Sequence, residues 1–224
     1  MRAILINEYK DQFKAFLEKE DTITNDFYFE IINNWQQHWN IESRNLSQVY
    51  DSSLQSSVSA RLWGGSVNSP KSLMISLLNT EEDFMRATFR DLFNERLDIG
   101  LRLDRFAFHT DQVFKALQTK DPKLISHFHD DRKILCLYLA LEYPAEYCLF
   151  DYDSFHKMMT KFESRNIPTE VEVERYYKSC RGIFKLISKD EELIPLFKSK
   201  CKFETADIGL MLMSIFMEFV ANAS

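Results

Sequence analysis

Apolar residues recur along this chain at three- and four-residue steps, a period that predicts helices along its whole length. Leu5, Tyr9, Phe13, Phe16 and Leu17 share one face of an expected helix over 4–17. Phe27, Ile31, Trp35 and Trp39 mark a second, with Thr24 placed as its cap, and a third with a polar surface is expected over 46–60. The pattern then stops at Arg61-Leu62-Trp63-Gly64-Gly65-Ser66-Val67-Asn68-Ser69. That glycine-containing stretch is the expected working loop, because a sequence without periodicity belongs at the surface, where function concentrates.

Ser69-Pro70 restarts the helical pattern, with serine as N-cap and proline at the first helical position. Thr80 is expected to cap the next helix, with Glu81, Glu82 and Asp83 against the positive end of its dipole. A long helix over about 98–117 follows, and Asp130 or Asp131 opens an apolar one through Leu141 that Pro144 breaks. Asp153 or Ser154 should open a helix to Phe162, and Thr169 with Glu172 should form a capping box for the next. Two more helices, about 191–200 and 206–221, complete the pattern. The expected fold is all-α, an irregular multi-helix bundle of about ten helices. It is read as a single helical domain over 1–224, with 169–224 as a semi-independent lobe and 161–172 as the hinge.

Composition narrows this little. Five Gly and five Pro in 224 residues are too few for an all-β chain built on tight turns. Four cysteines without a C-x-x-C pair, and no signal peptide, fit free thiols in a reducing cytoplasm. The apolar stretch Ile208 to Ala221 is too short to span a bilayer and carries Glu218, so no membrane association is expected. A net charge of −6 argues against a general phosphate-backbone binder, so nucleic-acid contact would need a local basic patch.

Several constellations bear on chemistry. Gly65 to Ser72 resembles a phosphate-binding loop, but Pro70 stands where a glycine N–H is needed and no strand precedes it, so nucleotide binding is rejected. His129 and Asp130, with His109 and Asp151, could form the ligand set of a helical metal-dependent phosphohydrolase of the HD type. The simpler reading makes the aspartates helix caps. Arg61, Trp63 and Lys71 combine a stackable ring with cations around the glycine loop, and they are the expected contacts for nucleic acid or a partner protein. Lys185, Lys189, Lys198, Lys200 and Lys202 make the C-terminal third locally basic, diluted by Asp190, Glu191 and Glu192.

The run R-D-L-F-N-E-R-L-D-I-G-L-R-L-D-R-F (Arg90 to Phe106) and the run R-K-I-L-C-L-Y-L-A-L-E-Y-P-A-E-Y-C-L-F-D-Y (Arg132 to Tyr152) resemble the N-terminal region of McrB-like AAA+ proteins. The preceding W-G-G-S-V-N-S-P-K-S-L and the closing I-G-L-M-L-M-S-I-F-M-E-F-V-A fit the same resemblance. It implies a restriction or phage-defence setting, in which a variable front domain selects a DNA target for a ring motor. The motor's own motifs are absent from this sequence, so the chain is either the front portion of a longer protein or a free-standing relative. The resulting expectation is a non-enzymatic recognition or adaptor domain with no catalytic residue and no cofactor. Its partners would be DNA or a protein, with a ring ATPase in cis or in trans. Two alternatives stay open: the HD-like phosphohydrolase, and a structural module that self-associates through Ile208 to Ala221.

Overall fold

The computed structural model describes residues 1–23, 27–56, 60–63, 69–203 and 208–223, with the backbone alone for Ala60 and Trp63. The helices are α1 (Ala3–Lys19), α2 (Phe27–His38), α3 (Leu46–Ser53), α4 (Ala60–Trp63), α5 (Pro70–Thr80), α6 (Glu82–Leu92), α7 (Ile99–Lys120), α8 (Arg132–Glu142), α9 (Tyr152–Lys161), α10 (Val173–Ile187), α11 (Leu193–Lys200) and α12 (Leu212–Asn222). A 3-10 turn, Gly209–Met211, precedes α12. No strand occurs among the described residues, so the fold is all-α as expected. None of these helices is long and apolar enough to cross a membrane.

The chain divides into two compact units. One, the central unit, is Glu30–Glu142; the other, the terminal unit, joins Met1–Phe29 to Tyr143–Ser224. The division therefore falls inside α2 and just after α8, not at 161–172.

The central unit is organised by aromatic rings. Trp35 stacks on Trp39 at 4.5 Å, and Phe89 meets Phe106 edge-on at 5.0 Å and Tyr138 at 5.5 Å. Such offset and edge-on pairs add specific geometry to a large burial of apolar area. Leu135 to Leu141 on α8 are all buried, so this stretch of the helix is enclosed on every face. Local signals fix where helices start. Ser69 forms a reciprocal box with Ser72 ahead of Pro70, and the Asp98 carboxylate accepts the Leu101 N–H at 3.0 Å to open α7. Thr80 does not cap: it is the last residue of α5, and its hydroxyl donates back to the Ser76 carbonyl at 2.8 Å. Once its oxygen is held one turn back, the cap position passes to Glu81. The third helix also ends sooner than expected, at Ser53.

In the terminal unit Phe13 of α1 contacts Phe216 and Phe219 of α12 at 5.4 and 5.2 Å, and Phe197 of α11 at 6.4 Å. The Tyr176 hydroxyl donates to the Leu149 carbonyl at 2.9 Å and Tyr177 to that of Cys148 at 3.1 Å, tying α10 to the segment after Pro144. Gly209, at φ +38°, lies so close to the Pro144–Ala145 turn that a Cβ would stand 2.1 Å from the Ala145 Cα. The Leu210 N–H bonds the Ala145 carbonyl at 3.0 Å there. The cap of α9 is Asp151 rather than Asp153 or Ser154, and its carboxylate accepts from both the Ser154 N–H and hydroxyl. Thr169 and Glu172 do pair, at 2.8 and 2.9 Å, but their contact closes a turn ahead of α10 rather than its first turn.

Candidate functional site

Of the three expected contact residues, the structure gives Lys71 a role of its own. Lys71, in the first turn of α5, makes a 2.7 Å ion pair with Asp51 of α3 and also donates to the Leu54 carbonyl, with its side chain only 17% exposed. It is a brace between two helices rather than a cation held out to a ligand. Arg61 is exposed on the four-residue α4. The Trp63 side chain and Gly64 to Asn68 lie outside the described residues, as do Thr24 and 204–207.

The four residues of the metal reading also separate. His129 is fully buried, and both ring nitrogens are engaged: Nδ1 with the His127 carbonyl, Nε2 with the Tyr138 hydroxyl at 2.9 Å. Since a carbonyl can only accept, Nδ1 carries the proton and Nε2 accepts from Tyr138. Tyr138 in turn lies 2.7 Å from the Tyr50 hydroxyl. Burial holds the His129 ring neutral, its pKa lowered to about 3 against the opposing hydrogen bond to the His127 carbonyl, which favours the charged ring. Phe128, at φ +64°, makes the tight turn that returns the His129 N–H to His127 Nδ1 at 2.9 Å. His109 packs against Phe84, Asp130 is exposed in the turn before α8, and Asp151 is a helix cap in the other unit. Among the described residues no three His, Cys, Asp or Glu side chains are grouped to hold a metal ion. His129 is thus a core histidine whose nitrogens the fold already uses.

A different cluster stands out on α10. Its buried side is Val173, Tyr176, Tyr177, Cys180, Ile183 and Ile187, which leaves Arg175, Lys178, Gly182, Lys185 and Lys189 along the opposite line, the last just beyond the helix end. Positions at i, i+3, i+7, i+10 and i+14 keep to one stripe of a helix, here ~21 Å long. Residues 173–189 hold five cations, counting Arg181, and one acid, Glu174. Arg175 pairs with Glu172, and Arg181 leans over the Tyr147 ring at 5.5 Å near Glu146. Among the described residues no carboxylate pairs with Lys178, Lys185 or Lys189, and all three are exposed.

Two of the three acids expected to dilute this region, Asp190 and Glu192, are occupied elsewhere, and Glu191 is exposed. Asp190 sits between Lys10 and Lys14 of α1, each at 3.0 Å, and Lys14 also reaches Glu192 at 3.0 Å. Burial, the largest single influence on Asp190, pushes its pKa up; hydrogen bonds from both lysines and from the Glu192 N–H outweigh it and bring the value down to about 2. The charges of Asp190 and Glu192 are therefore compensated from α1 rather than by the α10 lysines.

Arg175, Lys178, Ser179 and Gly182 also form one wall of an open groove of about 450 Å³, completed by Asn166, Pro168 and Met1. Gly182 is exposed, and a Cβ there would meet nothing within 4 Å. Glycine inside a helix costs about 1 kcal/mol relative to alanine, and no neighbour among the described residues requires it. Its absent side chain lets an incoming group reach the helix between Lys178 and Lys185. The seven-residue spacing of cations around Gly182 was readable in the sequence; what concealed it was the acidic run 190–192. No protein-family model, curated protein or solved structure matches the chain.

Proposed function

We propose that the chain is a non-enzymatic recognition domain that holds the phosphate backbone of DNA on the outer face of α10, within a McrB-like restriction or phage-defence system. The observation that carries this reading is the exposed stripe of Lys178, Lys185 and Lys189 around Gly182, with half-buried Arg175 at its start. Each strand of a duplex carries one phosphate per ~3.4 Å of helix axis, so a ~21 Å stripe laid along the axis spans about six phosphates of rise. Lysine suits this task, since a flexible point charge positions a backbone without reading bases. The runs Arg90 to Phe106 and Arg132 to Tyr152 support the McrB-like setting, in which the bound domain would report to a ring ATPase.

Anisotropy titration of a short labelled duplex at two salt concentrations tests this. Lys178→Glu, Lys185→Glu and Lys189→Glu together should weaken binding at least ~100-fold and flatten the salt dependence by ~0.9 in log–log slope per lost contact. All three side chains are exposed, so the melting temperature should hold. Gly182→Gln should weaken binding while stabilising the helix. A wild-type protein without salt-dependent DNA binding, or a triple variant that binds as well as wild type, would overturn the reading.

A further inference from the structure

The segment after Pro144 is laid along the inner face of α10. The Tyr147 ring meets Tyr177 edge-on at 5.0 Å, and the Phe150 ring lies 4.7 Å from Tyr176. The Tyr177 and Tyr176 hydroxyls donate to the Cys148 and Leu149 carbonyls. Cys180 follows Tyr176 and Tyr177 by four and three positions, so it stands one turn along the same buried face. That register sets its side chain against Cys148: the two thiols hydrogen-bond to each other, and both are fully buried. Cys148 and Cys180 belong to the terminal unit, whereas Cys136 belongs to the central one. The Cys201 thiol donates to the Phe197 carbonyl at 3.4 Å. Thiols in contact on two separate segments can reach bonding distance by side-chain rotation and a small backbone adjustment.

We propose that Cys148 and Cys180 are a latent redox pair, which a small disulfide such as oxidised glutathione converts to an intramolecular disulfide. One cysteine thiolate attacks the small disulfide, forming a mixed disulfide and expelling one glutathione thiolate. The other cysteine then attacks the protein sulfur of the mixed disulfide and expels the second. Two protein thiols are oxidised, one glutathione disulfide is reduced, and the two cysteine protons pass to the two departing thiolates. Burial, then the hydrogen bond and charge of Cys148, pushes the Cys180 thiol up, so the pair stays reduced while the segment is seated on α10. Reaction waits for the segment over 147–150 to lift in a local opening, and the product fastens it on return. The link closes a loop of about 30 residues that contains α9, and it restricts the unfolded chain far more than the native one. Cys180 lies on the face of α10 opposite Lys178, Lys185 and Lys189, so closure leaves that stripe exposed whether or not it holds DNA.

Incubation of the full chain with oxidised glutathione, alkylation of the remaining thiols and cleavage after glutamate tests this by mass, because each of the four cysteines then lies on its own peptide. A peptide over 147–163 joined to one over 175–191, and separated by dithiothreitol, is expected. The oxidised chain should melt at least ~5 °C above the reduced one. Cys180→Ala should lose the joined peptides and the rise together. No such link in the wild type, or a link to Cys136 or Cys201 in its place, overturns the pair. A linked chain whose rise falls short of that value, or an equal rise in Cys180→Ala, overturns it as well. The wild-type peptide map decides by itself should the variant fail to fold.

Discussion

The Tyr138 hydroxyl donates to Nε2 of His129 across 2.9 Å, inside a central unit where neither ring meets solvent. The same hydroxyl lies 2.7 Å from Tyr50, and burial raises the pKa of both phenols. This chain of neutral groups works only while His129 stays unprotonated, because its single free lone pair is the acceptor.

Acid should therefore act on the central unit through His129. Its folded pKa, about 3, lies below the ordinary 6.5, so in that interval the unfolded chain binds the proton and the native state does not. Stability contributed by the neutral ring is complete above pH 6.5 and falls as pH drops toward 3, by up to about 1.4 kcal/mol per pH unit. Thermal melts between pH 7 and 4 should show this slope and His129→Asn should flatten it; an equal slope in the variant would contradict the assignment. Asp190 works over a lower window, since its depressed pKa keeps it charged until pH falls below the ordinary carboxylate range toward 2.

Lys71→Glu is expected to report on stability rather than recognition. It would place a carboxylate against Asp51, in place of the present 2.7 Å ion pair between α3 and α5. Loss of a partly exposed pair with added repulsion costs about 1 kcal/mol, or ~2–4 °C for a chain of this length. DNA affinity measured alongside should stay within ~twofold, because Lys71 is not held out to a phosphate. A collapse of binding at an unchanged melting temperature would return this residue to the contact surface.

Gly209→Ala and Gly182→Ala should move stability in opposite directions. At Gly209 the left-handed φ and the Ala145 backbone leave no room for a Cβ, so a loss of about 3 kcal/mol or more is expected. At Gly182 nothing would meet the new methyl, and the helix should gain up to about 1 kcal/mol. Chemical denaturation of both variants beside wild type checks the pair, and similar losses at both positions would contradict it.

By itself the sequence determined the helical class and most of the helix starts. Ser69 ahead of Pro70, Asp98 ahead of Ile99 and the apolar period of α10 act within four residues, where covalent spacing already brings the partners together. Even locally a competition could mislead: Thr80 turned back on Ser76, and Asp151 took the cap of α9 from its neighbours. Only the tertiary structure decided which charges remain available. Asp190 meets Lys10 across 180 positions of sequence, which leaves the α10 lysines uncompensated, while Lys71 is spent on Asp51. It likewise decided that His129, a candidate metal ligand in the alternative reading of the sequence, is a hydrogen-bonded core residue. Periodicity is a property of neighbours along the chain, whereas burial and charge pairing depend on which distant segments the fold brings within a few ångströms.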